Sequence, residues 1–303
     1  MNESTEFDVL IDAVLPERLR NETVWHYTAP AVADLVIQNR SFWASSVVTM
    51  NDRAEMLYGM NLVTHRWESQ RPESAFADRI GTWIERAARN LSDERRADSF
   101  VLCASLDEDS VAQWSRYGYC ALGIATERLM TKVPKEVADG GRLAPTFTTG
   151  WRRVIYDAPG QEHHTRRLFA VLETLCESEE SLRGDADTAI DRIGMECILR
   201  SIVYLKHIAF ESEREVRLYG QAGPTGAWVV PHENVFGQST HIMVRTSAQG
   251  HTGDDLPIVE IRIANVNENV PKEALALRQL LADEPVNVEL VETQFRMAPV
   301  PGR

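Results

Sequence analysis

Five of the seven residues from Glu211 to Arg217 (ESEREVR) are charged, inside a segment, Ile208 to Tyr219, that otherwise alternates as a strand does. Charge in a strand interior is costly unless it is paired, solvated or put to use. On a strand, Glu213, Glu215 and Arg217 lie two apart and project from one face. Two carboxylates side by side repel, which tends to raise the pKa of one, while a guanidinium on the same face holds a carboxylate ionised and oriented. Such a row suits hydrogen bonding to sugar hydroxyls and stabilising positive charge that develops on a sugar carbon. It equally suits an exposed edge strand with cross-strand ion pairs.

A second stretch, Val24-Trp25-His26-Tyr27-Thr28, reads as a strand running into a helix. Thr28-Ala29-Pro30 is a helix start, with a hydroxyl to cap it and a proline whose missing N–H does no harm. His26 and Tyr27 point to opposite faces of that strand, so one can meet a ligand while the other meets the core. A histidine in an apolar run is also an ordinary hydrogen-bonded structural residue, and Thr28 is a cap before it is a contact.

The rest of the chain alternates helices and strands irregularly. Ser41 to Val48 is apolar and β-branched, and a helix begins near Asp52, where Asp52 and Glu55 have a capping spacing. Phe76, Ile80, Trp83, Ile84, Ala87 and Leu91 repeat at three and four and predict an amphipathic helix. Phe100 to Ser105 and Tyr119 to Ala125 read as strands, and Val111 to Tyr117 reads either way. Leu168 to Cys176 and Ala189 to Leu205 are helical by spacing. The tail runs strand (Pro257 to Ile263), helix (Lys272 to Ala282) and strand (Val286 to Val291). Residues 126–165 and 221–256 are turn-rich and weakly periodic, as insertions or surface loops are. The pattern predicts an α+β fold rather than a regular alternating sheet. No G-x-G-x-x-G or G-x-x-x-x-G-K-[ST] occurs, so Rossmann and P-loop sites lack their main support.

Composition narrows the function further. Hydrophobic residues make up 44% and charged residues 25% of 303, enough for a sizeable core. The net charge of −13 disfavours non-specific nucleic-acid binding, whose affinity comes from Lys and Arg meeting phosphate. Cys103, Cys120, Cys176 and Cys197 match neither a zinc pattern nor a secreted disulfide framework, so a reducing, cytoplasmic setting is expected. The acidic start has no apolar leader, and no run approaches the roughly 18 apolar residues of a membrane span. The scattered histidines lack ligand spacing, so no metal site is expected.

Together these segments resemble the bacterial family catalogued as domain of unknown function 2971. Its recurring pieces are an opening [LV]-W-H-Y-T, a W-x-S-S strand leading to N-D-x-x-E, a C-x-S strand with D-S-x-x-x-W-S-x-Y, a Gly-containing apolar strand, and K-x-x-x-[FY]-x-x-E-x-E-x-R. They match Val24 to Thr28, Trp43 to Glu55, Cys103 to Tyr117, Ala121 to Ile124 and Lys206 to Arg217, with Arg53 and Val216 departing from the usual residues. The opening strand and late E-x-E are in addition similar to ADP-ribosyltransferases of the H-Y-E kind. That resemblance implies a central split β-sheet with helical insertions and a C-terminal strand–helix–strand, in a single domain over 1–303 whose core motifs span 24–220 and whose tail spans 257–292. It implies NAD as substrate and a toxin or phage-defence effector that transfers ADP-ribose to an acceptor, whether protein, nucleic acid, small molecule or water. His26 would hold a ribose hydroxyl, Glu215 would steady the oxocarbenium-like transition state, and Glu213 would orient the acceptor. Trp114 or Tyr117 would stack on nicotinamide. Tyr27, Thr28, Ser45, Asn51, Ser115 and Arg217 complete the expected dinucleotide contacts. Two alternatives stay open: a non-catalytic nucleotide-sensing or protein-interaction module, and a metal hydrolase using Asp52, Glu55 and Glu213.

Overall fold

β1 (Thr23–Thr28) is built from β-branched and aromatic residues and is the stem of the sheet. It pairs along its whole length with β4 (Cys120–Ala125), antiparallel, from Thr23↔Ala125 to Thr28↔Cys120. In a computed structural model, the described residues are 9–10, 12–47, 53–92, 99–127, 130–132, 150–180, 186–221, 229–234, 237–246, 257–266 and 289–295. They form a mixed α+β fold of helices and a largely antiparallel sheet. The path through the sheet is β11-β10-β4-β1-β3-β2-β9-β5, with β7 and β6 branching from β3 and β8 flanking β9.

The branch is at β3 (Ser99–Ser105). β7 (Glu215–Gln221) occupies one edge of β3 from end to end. The other edge is shared: β1 touches it at Ser105, and β2 (Phe42–Ser46) at Phe100 and Val101. The sheet therefore forks along β3. At the fork His26 Nδ1 lies 2.8 Å from the Cys103 carbonyl. A carbonyl can only accept, so the ring donates from Nδ1 and replaces a strand–strand bond.

Beyond the fork, β2 continues to β9 (Gly237–Thr246), which carries β8 (Val229–Asn234) and β5 (Met130–Lys132). β8 and β9 revise the loop reading of 221–256. There the side-chain alternation is obscured by Gly, Pro and polar residues, and ladder pairing rather than hydrophobic period makes the strands. On the far side, β4 leads to β10 (Ile258–Val266) and β11 (Glu289–Phe295), which run parallel, as strands joined by a crossover must. The predicted helix at 272–282 lies outside the described residues. β6 (Arg152–Arg153) adds a short edge to β7.

α1 (Pro30–Asn39) follows β1 with Pro30 in its first turn. Its N-cap is Ala29 with no side-chain cap bond, so Thr28 is not the expected cap; Thr28 is still paired in β1. α2 (Arg53–Gln70), α3 (Ala77–Ser92), α5 (Ala158–Glu180) and α6 (Ala186–Ile202) pack together around Trp67, Ile80, Trp83, Leu172 and Ile198 against the face of the sheet that carries Val101 and Tyr219. The opposite face, with Val24, Leu102, Leu122, Val216 and Leu218, is covered by α1 residues Ala33, Val36 and Ile37. α4 (Val111–Tyr117), ambiguous in the sequence, is a short helix capped by Ser110.

Gly194 shows how tightly α3 and α6 meet. A Cβ there would lie 2.5 Å from Trp83 Cε3 and 2.7 Å from Cδ2. Alanine gains about 1 kcal/mol of helix propensity over glycine. Forcing a methyl into a buried indole costs roughly 1–3 kcal/mol. Gly194→Ala is therefore expected to lower stability, read as a fall in Tm; an unchanged or raised Tm would refute this packing.

Candidate functional site

The expected strand over 208–219 is two elements. Ile208–Glu213 is a 3-10 helix whose N-cap, His207, accepts the Ala209 N–H at Nδ1. Arg214 then takes a left-handed conformation (φ 43°), and β7 begins at Glu215. The consecutive polar residues favour a local turn over a ladder here. Glu213 thus leaves the strand that carries Glu215 and Arg217. The carboxylates still converge, because both reach Lys206, just beyond the end of α6.

Lys206 Nζ contacts Glu55 Oε1 at 2.6 Å, Glu213 Oε2 at 2.6 Å and Glu215 Oε2 at 2.9 Å. Arg217 grips Glu215 with Nε at 2.8 Å and a terminal nitrogen at 2.9 Å, pairs also with Glu55, and donates to the Val203 carbonyl. Arg116, on α4, reaches Glu213 Oε1 at 3.0 Å. The Tyr156 hydroxyl accepts the Glu215 N–H at 2.9 Å. Cys103 faces Arg217 across the β3–β7 ladder, on the side of the sheet that carries Glu215. Glu55 comes from the first turn of α2. Three carboxylates and three cations thus meet from α2, α4, the 3-10 helix, β7 and the segment after α6.

Burial pushes the Glu215 carboxyl up, but the charges of Arg217 and Lys206 and hydrogen bonds from Arg217 and Cys103 overcome it and hold it at about 2. The expected raising of one carboxyl by its neighbour does not occur at Glu215, because cations separate the pair. Burial opposes the charges on Lys206 and Arg217, yet Glu215 beside them keeps both raised. Burial and then the Glu215 charge push the Cys103 thiol well up, so it stays protonated and is no nucleophile. At neutral pH Glu215 is a permanent anion and too weak a base to take a proton. Its chemical aptitude is electrostatic.

The other candidates divide. Tyr117 stands by the cluster, its ring 42% exposed, its hydroxyl raised to about 12 by burial first and then influenced by Arg116, Cys103, Glu215 and Glu213. Tyr27 and Trp114 do not join it as ligand-stacking residues. The Tyr27 hydroxyl donates to the Asp107 carbonyl (2.7 Å) and accepts the Ser110 N–H (2.9 Å). Trp114 is 1% exposed, lies edge-on to Tyr27, and donates to Asp109. Both rings are committed to holding the 107–110 turn. Ser115 is exposed, and its hydroxyl returns to the Val111 carbonyl within α4. Thr28 is buried at the end of β1. Ser45 is exposed on β2, on the same face as Trp43, which stacks on His241 at 4.0 Å. Asn51 and Asp52 lie outside the described residues.

His26 is on the wrong side for a shared cleft with Glu215. Trp25 pairs with Ser105, and Ser105 with Glu215, so these three share a face. His26 projects to the other, with Leu122, its ring edge-on to Phe42. Burial lowers its pKa despite the bond to Cys103, so the ring is neutral, with Nδ1–H at the fork. The expected ribose contact beside Glu215 is corrected by this register.

Lys206, Arg116 and Cys103 are absent from the site residues expected from the sequence, and Glu55 enters there only as a helix cap or a metal ligand. Lys206 and Glu55 stood inside the recognised motifs, where Glu55 read as a cap. For Lys206 the signal was a single charge ending the apolar run Ile202 to Leu205. Of the carboxylates in the metal-hydrolase alternative, Glu55 and Glu213 are both bound to Lys206, and among the described residues, which do not include Asp52, no cluster of His, Cys, Asp and Glu is arranged to hold a metal ion. Among the described residues no helix is long and apolar enough to cross a membrane. No protein-family model matches the chain, and no curated protein or solved structure matches it.

Proposed function

We propose that the protein is an ADP-ribosyltransferase-like enzyme that cleaves NAD at the nicotinamide–ribose bond and passes ADP-ribose to an acceptor, as a toxin or phage-defence effector would. One observation carries the reading: a carboxylate, Glu215, buried at the cost of its hydration and kept ionised by Lys206 and Arg217. Such a fixed anion suits a reaction in which positive charge grows on a sugar carbon. The C1–N bond breaks, its electron pair leaves on nicotinamide, and the oxocarbenium-like centre is steadied by Glu215. The acceptor then bonds C1 and gives its proton to solvent, with Glu213 orienting it. With water as acceptor the enzyme is an NAD glycohydrolase.

The saturation of Glu215 by Lys206 and Arg217 favours a second reading, a non-catalytic nucleotide-sensing or protein-interaction module in which the cluster only fixes the fold. Nicotinamide release from NAD separates the two. The wild type is expected to release it, and Glu215→Gln to be slower by about 10²-fold or more, the usual loss on removing a transition-state charge partner. The comparison is made at a temperature where circular dichroism shows both folded. Failure of the folded wild type to release nicotinamide, or to bind NAD at millimolar concentration by calorimetry, would count against the enzyme.

A further inference from the structure

We infer that Gln161, on the first turn of α5, is the positioning residue of the charged cluster: its side-chain amide sets where Lys206 stands relative to Glu215. The inference rests on Glu215 being the working group of the site, and not on the identity of the substrate. Gln161 is 3% exposed. Its Nε2 donates to the carbonyls of Lys206 at 2.8 Å, Ile155 at 3.1 Å and Tyr156 at 3.2 Å, and its Oε1 accepts the Tyr58 hydroxyl at 3.0 Å. Carbonyls only accept, so the cluster of them at one end of the amide fixes which end is nitrogen. The neighbouring carbonyls of Ile155 and Tyr156 share one N–H, and Lys206 takes the other.

Each of these contacts leads to the cluster. The backbone of Lys206 is held on both sides, its N–H by the Ile155 carbonyl at 3.2 Å and its carbonyl by Gln161. The segment 154–156 grips the backbone of Glu215 in turn: the Val154 N–H donates to its carbonyl at 3.0 Å, and the Tyr156 hydroxyl accepts its N–H at 2.9 Å. Tyr58 stands one turn beyond Glu55 on α2, and the Glu55 carboxylate meets Lys206 Nζ at 2.6 Å. Lysine carries its ammonium on a flexible four-carbon stem, so Nζ stays among Glu55, Glu213 and Glu215 only while its own backbone is fixed. Gln161 ties that backbone, the segment that grips Glu215 and the helix that carries Glu55 to one another. Of the groups that face the Glu215 carboxyl, Arg217 is anchored separately to the Val203 carbonyl and Cys103 belongs to β3, so only Lys206 depends on Gln161.

Titration of the Glu215 carboxyl reads this placement, because the charge of Arg217 first and of Lys206 second holds it at about 2 against burial. Gln161→Met keeps the volume and removes all of the amide's hydrogen bonds. In the folded variant Lys206 loosens, and the Glu215 carboxyl is expected to rise by about one pH unit, a roughly tenfold gain in proton affinity. It stays below 4.5 because Arg217 remains. Carboxyl carbon NMR at pH 3 measures this, at a temperature where circular dichroism shows the proteins folded and with the Glu215 signal identified by its loss in Glu215→Gln. Glu215 should be ionised in the wild type and about half protonated in Gln161→Met. In a Lys206→Met background, Gln161→Met should add no further shift. A shift that persists there, or none in Gln161→Met alone, overturns the inference. Tyr58→Phe, which removes only the donor to Oε1, should raise the carboxyl by about half a unit and stands in where Gln161→Met does not fold. No shift in Tyr58→Phe then overturns the inference equally. Should the wild type release no nicotinamide from NAD while the Glu215 carboxyl still shifts, the positioning role stands and the NAD reading falls.

Discussion

Lys206→Met is expected to destabilise the folded protein by about 3–5 kcal/mol at neutral pH, the usual cost of breaking a buried ion pair from one side. Methionine keeps most of the apolar stem, so the loss is chiefly of charge, including the contact of Nζ with the Phe210 ring at 4.9 Å. Three carboxylates would remain around Arg217 and the half-exposed Arg116, leaving an uncompensated anion in the core. Against a typical total of roughly 5–15 kcal/mol, that is a large fraction. Because Lys206 is raised in the folded state, its contribution is complete at all pH values below the unfolded lysine pKa. The deficit should shrink as pH falls from 4.5 towards 2, where Glu215 takes up a proton and no longer needs a cation. Urea midpoints at pH 7 and pH 3 read both effects, and a variant within about 0.5 kcal/mol of wild type at pH 7 would refute the hub role of Lys206.

The second large effect is acid lability in two adjoining steps. Burial lowers His164 to about 4 from 6.5, despite the bond to the Ser201 carbonyl, so the unfolded chain takes a proton that the folded one refuses. Stability therefore falls as pH drops from about 6.5 to about 4. Glu215 is depressed from 4.5 to about 2, so its contribution is complete above 4.5 and is lost as pH falls to about 2. Each step spans more than two pH units, and at 1.36 kcal/mol per unit each amounts to about 3 kcal/mol. Urea unfolding from pH 8 to pH 2 should show both. Glu215→Gln should flatten the lower step and leave the upper one, while His164→Gln should do the reverse. Identical slopes below pH 4.5 in wild type and Glu215→Gln would mean that Glu215 is not held ionised by its partners.

Most of the elements were legible in the residues. Val24 to Tyr27 is strand because β-branched and aromatic side chains fit a pleated surface, and Ala77–Ser92 is helix because its apolar residues recur at three and four. The even spacing of Glu215 and Arg217 placed them correctly on one face of a strand, and both belong to the cluster. Glu213 was assigned to the same strand, but the left-handed turn at Arg214 swings it onto a separate element. Short polar stretches hold too little periodicity to tell a turn from a ladder, and the alternation there was that of charge, not of burial.

What the sequence determined by itself was local: the α+β class, the main helices and strands, and the two motifs that draw attention to His26 and the late carboxylates. Tertiary structure decided which charges meet. Glu55 pairs with Arg217 across a separation of 162 residues, and Lys206 gathers carboxylates from three segments. It also decided that His26 and Glu215 stand on opposite faces, through the register Trp25↔Ser105↔Glu215. Propensity and hydrophobic period act over a few residues, whereas the partner of a buried charge depends on which distant segments the core brings together.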